Sequence, residues 1–238
     1  MKTAKFSILV VLLIATTSCM FDGFGIKGNR NVVTEDRKIS AEFSEIKASH
    51  GINVYLTQGT PTDLHVEADE NIIDLLVTEV EGNTLKIYFD KNVSRAKARN
   101  VYVTADELTY LKATSGSEIR SEGTIRAKNL KLSSNSGAEL VLAINATEVT
   151  CSTSSGAHAK LTGTTKSFAG DASSGSQIDA DDLTSQKATA GVSSGADISL
   201  HASEELDARA SSGGHISFEG NPAVLNKSKS SGGSISKR

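Results

Sequence analysis

A Ser-Gly step returns seven times in this chain at nearly constant intervals, and that regularity limits the folds open to it. The glycines are Gly116, Gly137, Gly156, Gly175, Gly195, Gly213 and Gly232, separated by 21, 19, 19, 20, 18 and 19 residues. The residue before each is serine: Ser115, Ser136, Ser155, Ser174, Ser194, Ser212 and Ser231. Self-similarity at such a period belongs to stacked-repeat architectures, in which a unit buries its apolar face only against its neighbours.

The residues around each Ser-Gly describe the unit. One position after the glycine is small in every copy: Ser117, Ala138, Ala157, Ser176, Ala196, Gly214 or Gly233. Three after stands Ile119, Leu140, Ala159, Ile178, Ile198, Ile216 or Ile235. Small, polar, apolar, polar is the period-two pattern of a half-buried strand. Seven before the glycine come Leu130, Val149, Phe168, Ala188, Leu206 and Leu225, and five before come Leu132, Cys151, Gly170, Ala190 and Ala208, until Lys227 breaks the column. Each unit therefore reads as two short strands joined by a bend at Ser-Gly, where glycine supplies the positive φ and serine hydroxyls bond the turn or the next coil. Stacked units place like residues above like at about 4.8 Å. The expected fold is all-β, a parallel β-helix with coils of about 20 residues. The scarcity of bulky aromatics agrees: Trp is absent, and a narrow coil has room inside only for small side chains.

The first thirty residues obey other rules. Lys2 and Lys5 precede an apolar run, Phe6 to Ala15, too short to span a bilayer and suited to a secretory signal. The run ends in Thr17-Ser18-Cys19, which resembles the small-residue box before the lipid-bearing cysteine of a bacterial lipoprotein; Thr16 departs from the usual leucine. The expected organisation is a signal peptide at 1–18, a lipidated Cys19 with a Gly-rich tether to 31, and a single β-helix domain over 32–238. Cys151 then has no intrachain partner, and its column puts it inside. The net charge of −3 lacks the basic stripe of a nucleic-acid binder.

The N-terminal half carries a worn copy of the unit in "FSEIKASHGINVYLTQG", with Ile46 and Ala48 before Gly51 and Val54 and Leu56 after it. Beyond it the pattern predicts strands near 63–68, 76–81 and 84–89, with a helical turn near 70–75 that Asp69 caps. "SHGINVYLTQG", "VEADENIIDLLVTEVEGNTLKIYF" and "NVYVTADELTYLKATSGS", followed by the Ser-Gly repeats, resemble the head GIN domain family, named for a Gly-Ile-Asn stretch present here as Gly51, Ile52 and Asn53. The resemblance spans about residues 38–238. It implies a right-handed β-helix, a cell-envelope location and the adhesin label attached to that family; it brings no catalytic residues with it.

Any chemistry on such a solenoid would sit on its outward columns. Two after the glycine the residues are Glu118, Glu139, His158, Gln177, Asp197, His215 and Ser234; four after, Arg120, Val141, Lys160, Asp179, Ser199, Ser217 and Ser236. Glu139, His158, Lys160 and Asp179 fall on adjacent coils and form the best acid-base constellation available, set against a solvated face of mixed charge. Asp179, Asp181 and Asp182 with His201 lack metal-ligand spacing and read as turn residues. His50 occupies the column of the corner serines, and Tyr55, Tyr88, Tyr102 and Tyr110 read as strand packing rather than a glycan platform. The expectation is an outer-membrane lipoprotein that binds or adheres to a glycan or envelope protein. It has no catalysis, cofactor, metal or nucleic-acid partner, and a lipid anchor is its contact with the membrane. A carbohydrate-active β-helix enzyme and a structural or regulatory envelope spacer are the alternatives.

Overall fold

The chain turns at each Ser-Gly because both residues take left-handed backbone. Ser115, Ser136, Ser155, Ser174, Ser194, Ser212 and Ser231 have φ between 47° and 55°, and the glycines after them lie between 67° and 77°. Two successive residues with positive φ make a type I′ turn. It is closed by the N–H of the small residue after glycine, which donates to the carbonyl three residues earlier, as in Ser117 to Thr114 (3.2 Å) and Ala157 to Ser154 (3.2 Å). The left-handed serine also aims its carbonyl along the solenoid axis. Gly116 N–H donates to Ser136 O, Gly137 to Ser155, Gly156 to Ser174, Gly175 to Ser194, Gly195 to Ser212 and Gly213 to Ser231, all at 3.1–3.2 Å. The corner is thus stitched by backbone, and the serine hydroxyl is largely spared from the role expected of it. His50 (φ 63°) and Gly51 (φ 67°) form the same corner, with Gly51 N–H donating to Ser115 O at 2.9 Å.

A computed structural model describes residues 25–39 and 41–238; the expected signal segment, Cys19 and the start of the tether lie outside the described residues. Eighteen strands follow in chain order: β1 Ile26–Lys27, β2 Val32–Asp36, β3 Glu45–Ala48, β4 Asn53–Gln58, β5 Asp63–Asp69, β6 Leu76–Glu81, β7 Thr84–Phe89, β8 Val93–Ser94 and β9 Arg99–Ala105, then β10 Tyr110–Thr114, β11 Glu118–Asn135, β12 Glu139–Ser154, β13 His158–Ala172, β14 Gln177–Val192, β15 Asp197–Ala210, β16 His215–Glu219, β17 Val224–Lys229 and β18 Ser234–Lys237. Sixteen of them join one sheet, and from β10 onward every pairing is parallel. The protein is a parallel β-solenoid.

The unit is more than two short strands. From β11 to β15 one strand of 14–18 residues runs nearly the whole coil. In β12 the inward residues are Leu140, Leu142, Ile144 and Ala146, then Val149, Cys151 and Thr153, with the phase broken where Thr147 and Glu148 both face solvent. The register keeps the columns: Leu111, Leu132, Cys151, Gly170, Ala190 and Ala208 stack, as do Val54, Ile119, Leu140, Ala159 and Ile178. Leu225 continues its column opposite Leu206 but is 42% exposed, since among the described residues no strand pairs with the other edge of β17. Unequal coil lengths are absorbed shortly after the corner. Two extra residues bulge between Arg120 and Thr124, one is taken up opposite Lys160–Gly163, and more after Ala180.

The N-terminal end is built out of chain order. β3 and β4 form one coil around His50-Gly51, lying directly beneath β10 and β11. The next stretch of chain does not continue toward β10. Instead β7 pairs with the far edge of β3, and β9 with the far edge of β4, both parallel. β6 adds antiparallel to β7, β5 to β9 and β2 to β5. Antiparallel strands cover this end, a remedy for an open edge. The strands expected at 63–68, 76–81 and 84–89 are β5, β6 and β7, and the turn is a 3-10 helix, Ile73–Leu75. Asp69 does not cap it. Its carboxylate is buried and accepts from Arg30 N (2.8 Å), Lys97 N (2.9 Å) and Ala98 N (3.0 Å), tying the start of the chain and the loop before β9 to β5. Burial alone would raise its pKa; the three backbone donors and the Arg30 charge outweigh burial and hold it below the ordinary value. Gly28 is required beside it, since a Cβ there would lie 2.2 Å from Asp69 Oδ2.

Candidate functional site

The face after the corner carries the quartet read from the sequence. Glu139 and His158 are opposite each other, as are Lys160 and Asp179. His158 Nδ1 lies 3.3 Å from Glu139 Oε1, and its Nε2 is buried without a hydrogen-bond partner. Lys160 makes no ion pair among the described residues; Asp179 accepts from Ser199 Oγ at 2.9 Å and has Asp181 beside it. Its hydrogen bond with Asp181, aided by partial burial, raises the pKa of Asp179. Asp181 is lowered by the same bond and by the charge of Arg238, whose Nη1 is 3.0 Å away. The structure thus divides the quartet: Glu139 pairs with His158, Asp179 is drawn to Asp181 outside the quartet, and Lys160 stands apart. None of the four lines the larger grooves of the molecule. Among the described residues no group of three or more His, Cys, Asp or Glu is arranged to hold a metal ion.

The same columns run onto the N-terminal strands. His65, Tyr102 and Tyr55 stack in register across β5, β9 and β4, with centroids 4.5 and 5.0 Å apart and planes within 16°. Each ring covers its neighbour's face, so the ladder shows mostly ring edges to solvent and offers no broad platform for a sugar. Beside it Asn53 Nδ2 donates to Asn100 Oδ1 (3.1 Å), and Asn100 Nδ2 to Glu67 Oε2 (2.8 Å).

A long concavity among the described residues lies on the other side of the corner. It is an open groove of ≈620 Å³ running from Ser133 to Ser230 across six coils. Its two outward columns, four and two residues before each glycine, are mainly hydroxyl-bearing. The first holds Ser133, Ser152, Asp171, Gly191, Arg209 and Ser228; the second holds Asn135, Ser154, Ser173, Ser193, Ser211 and Ser230. Gly191 leaves room for the Asp171 side chain, because a Cβ there would sit 2.6 Å from Asp171 Oδ1. This groove was not expected from the sequence, where the outward columns considered were those after the glycine and the columns before it were the inward ones. The signal was the serine two positions before it, constant from Ser154 onward.

A family model described as "Putative auto-transporter adhesin, head GIN domain" matches residues 42–222. The chain belongs to the head GIN domain family. A solved structure of a putative adhesin from Bacteroides fragilis is 26% identical, with a TM-score of 0.83 over 90% of this chain and 100% of that one. A putative lipid binding protein from Parabacteroides distasonis is also 26% identical, with a TM-score of 0.74 over 90% and 99%. A putative adhesin from Parabacteroides merdae, at 17% identity and a TM-score of 0.71 over 90% and 99%, shares the fold. No curated protein matches. The residues that name the head GIN domain have structural tasks here. Gly51 makes the first corner, Ile52 is fully buried behind it, and Asn53 begins the amide ladder.

Proposed function

We propose that this head GIN protein is a non-catalytic binding protein of the cell envelope, anchored through Cys19 and carrying a glycan or envelope partner along its solenoid. The observation that carries this reading is the hydroxyl-lined groove that crosses six coils in the open. A long shallow trough of hydroxyls, an amide and two charged groups suits an extended polar ligand better than a small substrate enclosed for chemistry. The adhesin description of the family and of the B. fragilis structure supports the same reading.

Filling the groove tests it. Ser154→Trp and Ser193→Trp place bulk on outward positions, so the fold should persist by circular dichroism. Binding of the full-length chain to an immobilised glycan panel should fall to background in both variants. Binding that persists with the groove filled would place the ligand elsewhere. Fractionation tests the anchor: Cys19→Ser should move the chain from membranes to the soluble fraction, or stall it as precursor.

A further inference from the structure

The column of side chains at the groove's end continues beyond Ser133 toward the N-terminal strands, and there its chemistry changes. The column that holds Ser133 and Ser152 proceeds through Lys112 on β10, Lys47 on β3 and Lys86 on β7, three lysines opposite one another on adjacent parallel strands. Strands lie about 4.8 Å apart, and like charges directly opposite destabilise a sheet. The neighbours only partly relieve this. Lys86 pairs with Glu81, and Lys47 Nζ stands 3.9 Å from Glu45 Oε2, an oxygen that also accepts from Thr84 Oγ1 at 2.7 Å. Lys112 has no carboxylate partner among the described residues. The three lysines line a hollow of ≈190 Å³ with Ser49, Tyr88 and Thr114. Glu79 stands opposite Lys86 on β6 and accepts from Tyr88 Oη at 2.8 Å, so the charge left over at this end is that of Lys112.

We infer that Lys47, Lys86 and Lys112 form an anion-binding end of the groove, and that its occupant is a linear polysaccharide bearing acidic residues interspersed with neutral ones. This rests on the glycan reading above and assigns its ligand class. A carboxylate or sulfate over the ladder relieves the repulsion among the three ammonium groups. The chain then passes onto Ser133 and Ser152, whose hydroxyls meet uncharged sugars. Further along, Asp171 accepts hydrogen bonds from sugar hydroxyls and disfavours an acid group at that point, which argues against a polymer charged at every residue. An anionic membrane is the poorer partner. The lysines lie in a hollow one strand away from the end of the trough, and the exposed large apolar side chains, Ile26, Val224 and Leu225, line neither.

The test uses the full-length chain against hyaluronan and chondroitin, carboxyl-reduced hyaluronan, chito-oligosaccharides, and vesicles rich in phosphatidylglycerol. The acidic polysaccharides should bind, more weakly as salt rises. Removing the carboxyl charge, or replacing all three lysines by threonine, should weaken binding about tenfold or more, three exposed ion pairs being lost together. The thermal midpoint of the triple variant should be unchanged or raised, since a repulsion has been removed, and this separates lost binding from lost folding. Equal binding of neutral chito-oligosaccharides, unaffected by the triple substitution, overturns the lysine site and leaves the glycan reading standing. Lysine-dependent binding to vesicles alone overturns the polysaccharide assignment. Binding to none of these overturns both.

Discussion

Two buried residues show how a side chain is used at single-atom cost. Cys151 is fully buried between Leu132 and Gly170, and burial, with a smaller contribution from the Asp171 charge, pushes its thiol up to about 12. A thiol that stays protonated and enclosed is a small hydrophobe. In the native protein Cys151 should therefore fail to react with a thiol reagent at pH 8 over hours and react at once in denaturant, read by peptide mapping; rapid native labelling of Cys151 would contradict the inward register. Asp69 is the opposite case, a carboxylate kept charged inside. Asp69→Ala leaves three backbone donors without their acceptor and should cost about 3 kcal/mol in urea unfolding. The pH dependence has a definite sign. Because the folded pKa lies below the ordinary aspartate value, the contribution of Asp69 is fully present above that ordinary value and is lost as pH falls through the folded pKa. Asp69→Asn should accordingly be less stable at pH 7 and lose less than the parent between pH 5 and the acid transition.

At the scale of the element, the corner is a backbone device. Seven copies use the same pair of left-handed residues, and nothing lies within 4 Å of where a Cβ would stand on Gly116, Gly137, Gly156, Gly175 or Gly195. Glycine is there for its φ alone. Gly175→Ala should destabilise by about 1–2 kcal/mol through strain in that conformation, whereas Ser174→Gly should be neutral or slightly stabilising because the left-handed serine is relieved. If both changes prove equal in thermal melts, the hydroxyl matters more than the corner geometry allows. Gly170 answers to a different constraint. A Cβ there would come 2.9 Å from the Phe168 ring, which folds across the space beside it. The interior column holds a glycine in that coil because the neighbouring column holds its one aromatic.

The whole molecule is asymmetric. Antiparallel strands cover the end at β7 and β9, while the last described coil, β17 and β18, is exposed almost throughout. The inward column there ends in Lys227, whose Nζ sits 4.6 Å from the Phe218 ring centroid, and Lys237 bonds Asn221. Positive charge on a bare edge repels a second copy of the same edge. Replacing Lys227, Lys229 and Lys237 by Ala, Val and Leu should promote end-to-end association, read as a concentration-dependent rise in mass by light scattering. A triple variant as monodisperse as the parent would mean that another element covers this end.

The sequence by itself determined the coil. Ser-Gly sets a conformation that few residues adopt, and the alternation around it says which side chains face inward, so the column of Cys151 and the placement of Glu139 beside His158 and Lys160 beside Asp179 were legible without coordinates. These are local facts repeated at a fixed period, and stacking copies one coil's register onto the next. What only the tertiary structure decided lies where the period fails. No pattern in residues 45–105 says that β7 and β9 pass outside β3 and β4, because strand order there depends on which edges pair across long stretches of chain. For that reason Lys47, Lys86 and Lys112, distant in sequence and unremarkable singly, become neighbours only once β3, β7 and β10 have chosen one another as edges. Asp69 likewise looked like a cap until the chain returned at Arg30, Lys97 and Ala98 to surround it.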